Sequence, residues 1–255
     1  MRTTFIITSA INPGVGLFNP EQRINQTIQT VSSIKNAFPQ SNLILIDGGK
    51  SFQEDLDNFL ILKSKINLYL NMHENIQIKN LHNNFFSKIK NKYELGGNAG
   101  GLKTLSEICL MREVFFLLKN NKNLLNFINV DAIFKISGRY VLSPAFNKQV
   151  YLDALLSNNF VFRAPEKSYL EKIKKDFGID KNISTALYGF NINLFDAVIK
   201  KFEVILNDFL TINKTHYIDL EHLFFKHFGS EKNIIFLNLI NVFGCLGSSG
   251  TFIYK

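Results

Sequence analysis

Apolar residues run almost unbroken through TFIITSAI (4 to 11) and NLILIDGG (42 to 49). One run stops at Asn-Pro-Gly, the other at Asp-Gly-Gly. Runs this short, rich in β-branched residues and ended by turn formers predict strands buried on both faces. Between them the period changes. Ile24, Thr27/Ile28, Val31, Ile34 and Phe38 recur at helical spacing, with Asn19 placed to cap the helix and Pro20 suited to its first position. A strand, a helix and a second strand in this order predict a parallel sheet covered by helices.

The pattern continues down the chain. A helix is expected over 53–64 and a strand or extended segment near 67–79. GGNAGGLKTLSEICLMREVFFLLKN places Leu102, Leu105, Ile108, Cys109, Phe115 and Leu118 on one helical face, with glycines at the entrance. A third buried strand is expected at 131–136, inside VDAIFKISGRYVL. Short strands follow at 160–165 and 184–192. The next helix shows one apolar face, Phe195, Val198, Ile199, Phe202, Ile205, Leu206 and Phe209. Asp219 caps another helix, NIIFLNLINVFG reads as a last strand, and a glycine-serine tail ends the chain. No repeat or low-complexity linker interrupts the 255 residues, which fit one α/β domain with a soft boundary near 143 to 150.

Composition changes this picture little. Hydrophobic residues make up 46%, enough for a core, and with 25 Phe and no Trp its aromatic packing rests on phenylalanine. The net charge of +8 would suit nucleic acid, an anionic membrane face or a phosphorylated substrate. The cations are scattered, however, and even KSYLEKIKKD (167 to 176) alternates them with acids and apolar residues. No nucleic-acid-binding motif is present, so no nucleic-acid partner is expected. Cys109 and Cys245 are too few and too far apart for a disulfide framework. The opening apolar run is too short for a signal peptide and nothing reaches the length of a membrane span. A cytoplasmic protein is expected, with peripheral association at the inner membrane face left open by its basic surface.

In an open α/β sheet, ligands bind beyond the carboxyl ends of the strands. Those ends are Thr8, Ser9 and Ala10; Asp47, Gly48 and Gly49; and Ser137, Gly138, Arg139 and Tyr140. Hydroxyls, an acid, glycines, a guanidinium and an aromatic ring on one rim suit a nucleoside diphosphate, with arginine for the phosphates. Arg139 could instead form a structural ion pair and Tyr140 pack in the core. Asp47 could contact base or ribose, or only cap the next turn. GGNAGG could offer amides to a phosphate or form a turn capped by Asn98; it is neither a Walker motif nor a dinucleotide fingerprint. His216 and His227 read as surface or packing residues. No G-x-S-x-G, H-E-x-x-H or C-x-x-C is present, which leaves hydrolase and zinc-enzyme readings unsupported.

Arg23, Gln26-Thr27, Ser33-Ile34 and Pro39, followed by Lys135-Ile136-Ser137-Gly138-Arg139-Tyr140 and the later TALYGF and IDLEHLFF, resemble bacterial glycosyltransferases of surface-polysaccharide synthesis with the GT-A fold. The likeness covers most of the chain. It implies one GT-A-like domain, a mostly parallel Rossmann-like sheet flanked by helices, whose part up to about residue 145 binds the nucleotide and whose part from about 146 shapes the acceptor site. It implies a nucleotide-diphosphate sugar donor, transfer to a hydroxyl of a glycan or lipid-linked glycan, and lipopolysaccharide or capsule synthesis as the setting. Hexosyl or deoxyhexosyl transfer is the expected form; inversion is what a carboxylate base would fit, and retention stays open.

One departure matters. Most GT-A enzymes carry Asp-x-Asp at the end of this strand, holding Mn²⁺ or Mg²⁺ on the donor diphosphate; here ISGRY stands there. The nearest such spelling, DLD at 55–57, falls in an expected helix. The expectation is therefore that Arg139, helped by Lys135 or Lys103, offsets the diphosphate charge in place of part or all of the metal's role, while Gly138 leaves room for it. A divalent cation stays open. Inverting transfer requires a carboxylate base. Glu221 is preferred over Asp219, which is occupied as a cap, although acids are also common in a first helical turn. His222 would contact the acceptor or a metal. The competing readings are a nucleotidyltransferase acting on sugar phosphates, disfavoured because INPGVGLFNP lacks a basic residue, and a non-catalytic binding protein of the same fold.

Overall fold

The computed structural model describes residues 1–13, 17–80, 83, 98–245 and 250–255. The two opening apolar runs form β1 (Thr3–Ser9) and β2 (Asn42–Asp47), parallel in a register that sets Ser9 opposite Asp47. Between them, α1 (Pro20–Ala37) starts in a capping box: the Asn19 side chain accepts from the Gln22 amide at 2.9 Å, and the Gln22 side chain accepts from the Asn19 amide at 3.0 Å. Its buried face is Arg23, Ile24, Thr27, Thr30, Val31 and Ile34. α2 (Asp57–Lys65) leads to β3 (Leu68–Asn71), parallel to β2. α3 (Asn98–Asn120) leads to β4 (Ala132–Ser137), which flanks β1 on its other side, in parallel, with Ser137 opposite Thr8.

The second half extends the same sheet. β5 (Tyr140–Leu142) and α4 (Lys148–Leu155) precede β6 (Phe160–Arg163). A two-stranded ribbon of β7 (Glu166–Lys167) and β8 (Lys181–Asn182) encloses α5 (Glu171–Phe177). β9 (Leu187–Asn191), α6 (Phe195–Ile212), α7 (Leu220–Phe228) and β10 (Ile234–Leu237) follow. β11 (Val242–Cys245) and β12 (Phe252–Tyr254) finish the chain. The main sheet has seven strands in the order β10-β6-β9-β4-β1-β2-β3. Only β9 runs antiparallel, against both β4 and β6. A smaller sheet, β12-β11-β5, sits beside it.

Alternation along the strands makes two cores. Phe5, Ile7, Leu43, Leu45, Phe134 and Ile136 face α1 and α2; Ile6, Ile44, Ile46 and Ile133 face α3, α6 and α7. Each side chain withdrawn from water in this way contributes about 1.5–3 kcal/mol. Cys109 is buried on the apolar face of α3, and both cysteines are free.

Four expected elements differ. The helix expected at 53–64 begins at Asp57, because residues 50–51 are tied to the loop after β1: Lys50 N donates to Asn12 O and the Asn12 amide to Ser51 O. DLD thus lies across the helix start, with Asp55 and Asp57 exposed. The extended segment stops at Asn71; Asn75 accepts from the amides of Gln77 and Ile78, and residues 76–80 are helical. NIIFLNLINVFG splits into β10 and β11, where Asn241 takes a φ of 52° and turns the chain out of the main sheet. The tail is partly a strand, β12, paired with β11. Residues 14–16, 96–97 and 246–249, which hold parts of INPGVGLFNP, GGNAGG and the glycine-serine tail, lie outside the described residues.

Candidate functional site

The carboxyl ends of β2, β1 and β4 stand side by side, and beyond them opens a cavity of about 400 Å³. Thr8, Ser9 and Ala10 enter its wall from β1, Gly48 and Gly49 from β2, and Ser137, Gly138 and Arg139 from β4. One face of α3 supplies Leu102, Lys103, Ser106, Glu107 and Leu110, at the spacing that aligns residues along a helix. Arg23 projects in from α1.

The wall is cationic. Arg23, Lys50, Lys79, Lys103 and Arg139 line it, against one carboxylate, Glu107. Among the described residues, none of Arg23, Lys103 and Arg139 forms an ion pair with a carboxylate. The Nε atoms of Arg23 and Arg139 are buried without a hydrogen-bond partner. Burial, then the neighbouring Arg139, pushes the Arg23 guanidinium down to about 10, still protonated at neutral pH. Burial, then Arg139 and Arg23, lowers the Lys103 ammonium. Three cations that repel one another at the strand tips form a site whose electrostatic cost an anion would relieve.

Interlocking bonds hold the tips in place. Gly138 N donates to Thr8 O at 2.7 Å; the Thr27 hydroxyl donates to Arg23 O at 2.8 Å and lies 3.2 Å from Gly138 O. A Cβ on Gly138 would come within 3.1 Å of Thr27 Oγ1 and 3.3 Å of Thr8 O. The space that glycine leaves is therefore taken up by α1 and β1, which corrects the expectation that it makes room for the leaving group. Behind Arg139, a Cβ on Gly244 would sit 2.1 Å from Arg139 O, so only glycine allows β11 to back this turn.

Of the expected site residues, Thr8, Ser9, Lys103, Ser137, Gly138 and Arg139 come together in the cavity wall, and six others are set back from it. Asp47 is buried; its Oδ1 accepts from the amides of Ile11 and Gly49, both at 2.9 Å, so it braces the turns after β1 and β2. Burial pushes its carboxyl up to about 6, against the pull of those amides. Lys135 is 1% exposed, and its ammonium is committed to Glu107 and, at 2.9 Å, to Thr185 O. Tyr140 is buried beneath the Arg139 guanidinium, 5.4 Å from the ring centre, so it packs rather than presenting a face to a ligand.

The expected acceptor-side residues are likewise occupied. Asp219 caps α7 and binds His222 Nδ1 at 2.5 Å, while His222 Nε2 meets the Ser168 hydroxyl at 2.8 Å. His222 is fully buried, so this chain of bonds ties the start of α7 to the loop before α5. Burial alone would raise the Asp219 carboxyl; bonds from His222 and Tyr169 outweigh it and lower it. Glu221 accepts from the Thr185 hydroxyl at 3.0 Å and does not line the cavity. Burial, then the nearby Asp219 and Glu107, raises its carboxyl. His216 and His227 pair with Asp176 and Asp208, as packing residues do.

Among the wall residues that escaped the sequence reading as site residues, two carry charge at the centre of the argument, Arg23 and Glu107. Arg23 lies on the buried face of α1, where an arginine among apolar positions was the available signal. Glu107 stands one turn after Lys103 on α3, but its partner Lys135 is 28 positions away and nothing local marks the pair. A divalent cation fits the described residues poorly. They contain no group of three or more His, Cys, Asp or Glu able to hold one, and the wall's single carboxylate is bonded to Lys135.

A search of protein-family models finds no match, and no curated protein sequence matches. Solved structures do match. Core-mannan synthase A from Aspergillus fumigatus, in its Mn/GDP form, aligns over 92% of this chain and 72% of its own at a TM-score of 0.50, with 6% identity. The mannosyltransferase Ktr4p from S. cerevisiae aligns over 84% and 61% at 0.45, with 6% identity. A 4-diphosphocytidyl-2C-methyl-D-erythritol synthase from Anaerococcus prevotii aligns over 92% and 86% at 0.38, with 16% identity. The likeness to the first defines the class: a mixed α/β fold of GT-A-like type, with a mostly parallel central sheet flanked by helices.

Proposed function

We propose that this chain is a glycosyltransferase, moving a sugar from a nucleoside-diphosphate donor to a hydroxyl of a glycan or lipid-linked glycan. The observation that carries the reading is the cluster of Arg23, Lys103 and Arg139 around the cavity at the strand tips, without carboxylate partners among the described residues. A diphosphate would satisfy the orphaned guanidinium nitrogens and end the mutual repulsion. As the sugar–phosphate bond breaks, charge builds on the departing diphosphate, and these cations are placed to stabilise it. The fold shared with a fungal synthase solved in a Mn/GDP form supports a nucleotide ligand. The resemblance of the sequence to surface-polysaccharide enzymes supports a glycan acceptor, and the sheet's later strands with α7 would shape that side.

Thermal shift with UDP, GDP, CDP and dTDP, each with Mn²⁺ and with chelator, tests the reading. At least one diphosphate is expected to raise Tm, and to do so in chelator. Arg139→Ala, which removes a charge-assisted contact, should weaken that binding about 10- to 100-fold. No shift with any of the four, or an Arg139→Ala chain that binds as well as the parent, would defeat it.

A further inference from the structure

Glu107 is the only carboxylate among the described residues that line the cavity. Its side chain is 30% exposed, while Lys135 beneath it is 1% exposed. One Glu107 oxygen accepts from the Lys135 ammonium, which also donates to Thr185 O at 2.9 Å. That ammonium is held in the sheet by β4 and engages one oxygen of the Glu107 carboxylate, while Glu107 itself lines the cavity. Lys103 lies one helical turn earlier on the same face of α3. A donor whose diphosphate rests on Lys103, Arg23 and Arg139 would thus carry its sugar toward Glu107. Glu221, by contrast, does not line the cavity and accepts from the Thr185 hydroxyl.

We propose that Glu107 is the catalytic carboxylate of this cavity, the base that takes the acceptor's proton; the proposal rests on the donor site described above. The acceptor oxygen bonds to the anomeric carbon. The bond from that carbon to the diphosphate oxygen breaks, its electron pair leaving with the diphosphate. The acceptor's proton passes to the free oxygen of Glu107 and then to water. Attack from the face opposite the diphosphate inverts the anomeric centre. Lys135 is a positioning residue that aims the carboxylate, and Glu221 supports Thr185 behind it.

The test uses the full chain with UDP-glucose, GDP-mannose, CDP-glucose and dTDP-glucose, water serving as acceptor. Release of nucleoside diphosphate is measured, binding of the free diphosphate is titrated separately, and the anomer of the released sugar is read by NMR. Glu107→Gln is expected to bind the diphosphate within about threefold of the parent, yet to release it about 10²- to 10⁴-fold more slowly. Glu221→Gln should lose less than Glu107→Gln. If Glu107→Gln fails to fold because Lys135 is left unpaired, Glu107→Gln combined with Lys135→Met carries the same test. Release from Glu107→Gln within tenfold of the parent, loss of diphosphate binding along with turnover, the reverse ranking of the two variants, or a retained anomer each overturns the assignment. A parent chain that binds a diphosphate but splits none of the four sugars also overturns it and leaves the donor site standing. A parent that binds no diphosphate brings down the donor site, and this assignment with it.

Discussion

Asp47 serves two strand ends at once, and burial makes its charge costly. In the folded chain its carboxyl titrates at about 6, against 3.8 for an ordinary aspartate. Between those values the folded chain holds a proton that the unfolded chain has lost. Its contribution to stability therefore falls as pH rises from about 4 to about 6 and is level above that. The drop is on the order of 3 kcal/mol. Asn in its place can accept from the same two amides through its carbonyl while carrying no charge. Urea unfolding of Asp47→Asn at intervals from pH 4 to pH 7 should show this decline removed; an undiminished decline would assign it to other groups. The same burial separates Asp47 from a ligand-contacting role, since both amide bonds draw its carboxylate into the turns.

At the scale of elements, α1 and α3 bring charge to the strand tips. α1 carries Arg23 on its buried face, one turn after the Asn19 capping box. Asn19→Ala removes the side-chain acceptor for the Gln22 amide and should cost about 1 kcal/mol. For a chain of this length that is a Tm lowered by about 2–4 °C, measurable by circular dichroism. An unchanged Tm would mean that packing of Ile24, Val31 and Ile34 holds the helix without its cap. This cap was legible from Asn19 and Pro20, because capping is local; the reciprocal bond of Gln22 was seen only in the structure. The pairing of α3 with β4 through Glu107 and Lys135 was not, because those residues meet only once the helix lies across the sheet.

At the scale of the whole molecule, the chain's end returns to its site. β12 pairs with β11, β11 with β5, and Gly244 of β11 backs the Arg139–Tyr140 turn. Lys255 and Val242 exchange two backbone hydrogen bonds, at 2.8 and 3.1 Å. A chain ending at residue 249 should keep the seven-stranded sheet and unfold cooperatively at a lower Tm, while its diphosphate affinity drops because β11, which backs Arg139, loses its partner strand β12. Equal affinity in the shortened chain would show that β11 holds the Arg139 turn without β12. Among the described residues no helix is long and apolar enough to cross a membrane.

Sequence periodicity alone determined the parallel strands, the main helices and the convergence of three strand tips on one rim. Hydrophobic alternation and turn residues are local properties, and burial on both faces leaves a parallel sheet few other ways to form. Arg139, Thr8, Ser9, Ser137 and Gly138 were legible as cavity residues for the same reason, since strand ends follow from period, whereas Lys103 entered through the family resemblance. Tertiary structure decided which polar groups remain free to meet a ligand. Lys135, Asp47, Asp219 and His222 each found a partner inside the protein, and Tyr140 a packing place, whereas Arg23 was turned into the cavity by α1, and Glu107, although it is Lys135's partner, still lines it. A buried polar group must be satisfied, and its partner can lie anywhere along the chain; only the packed fold selects it.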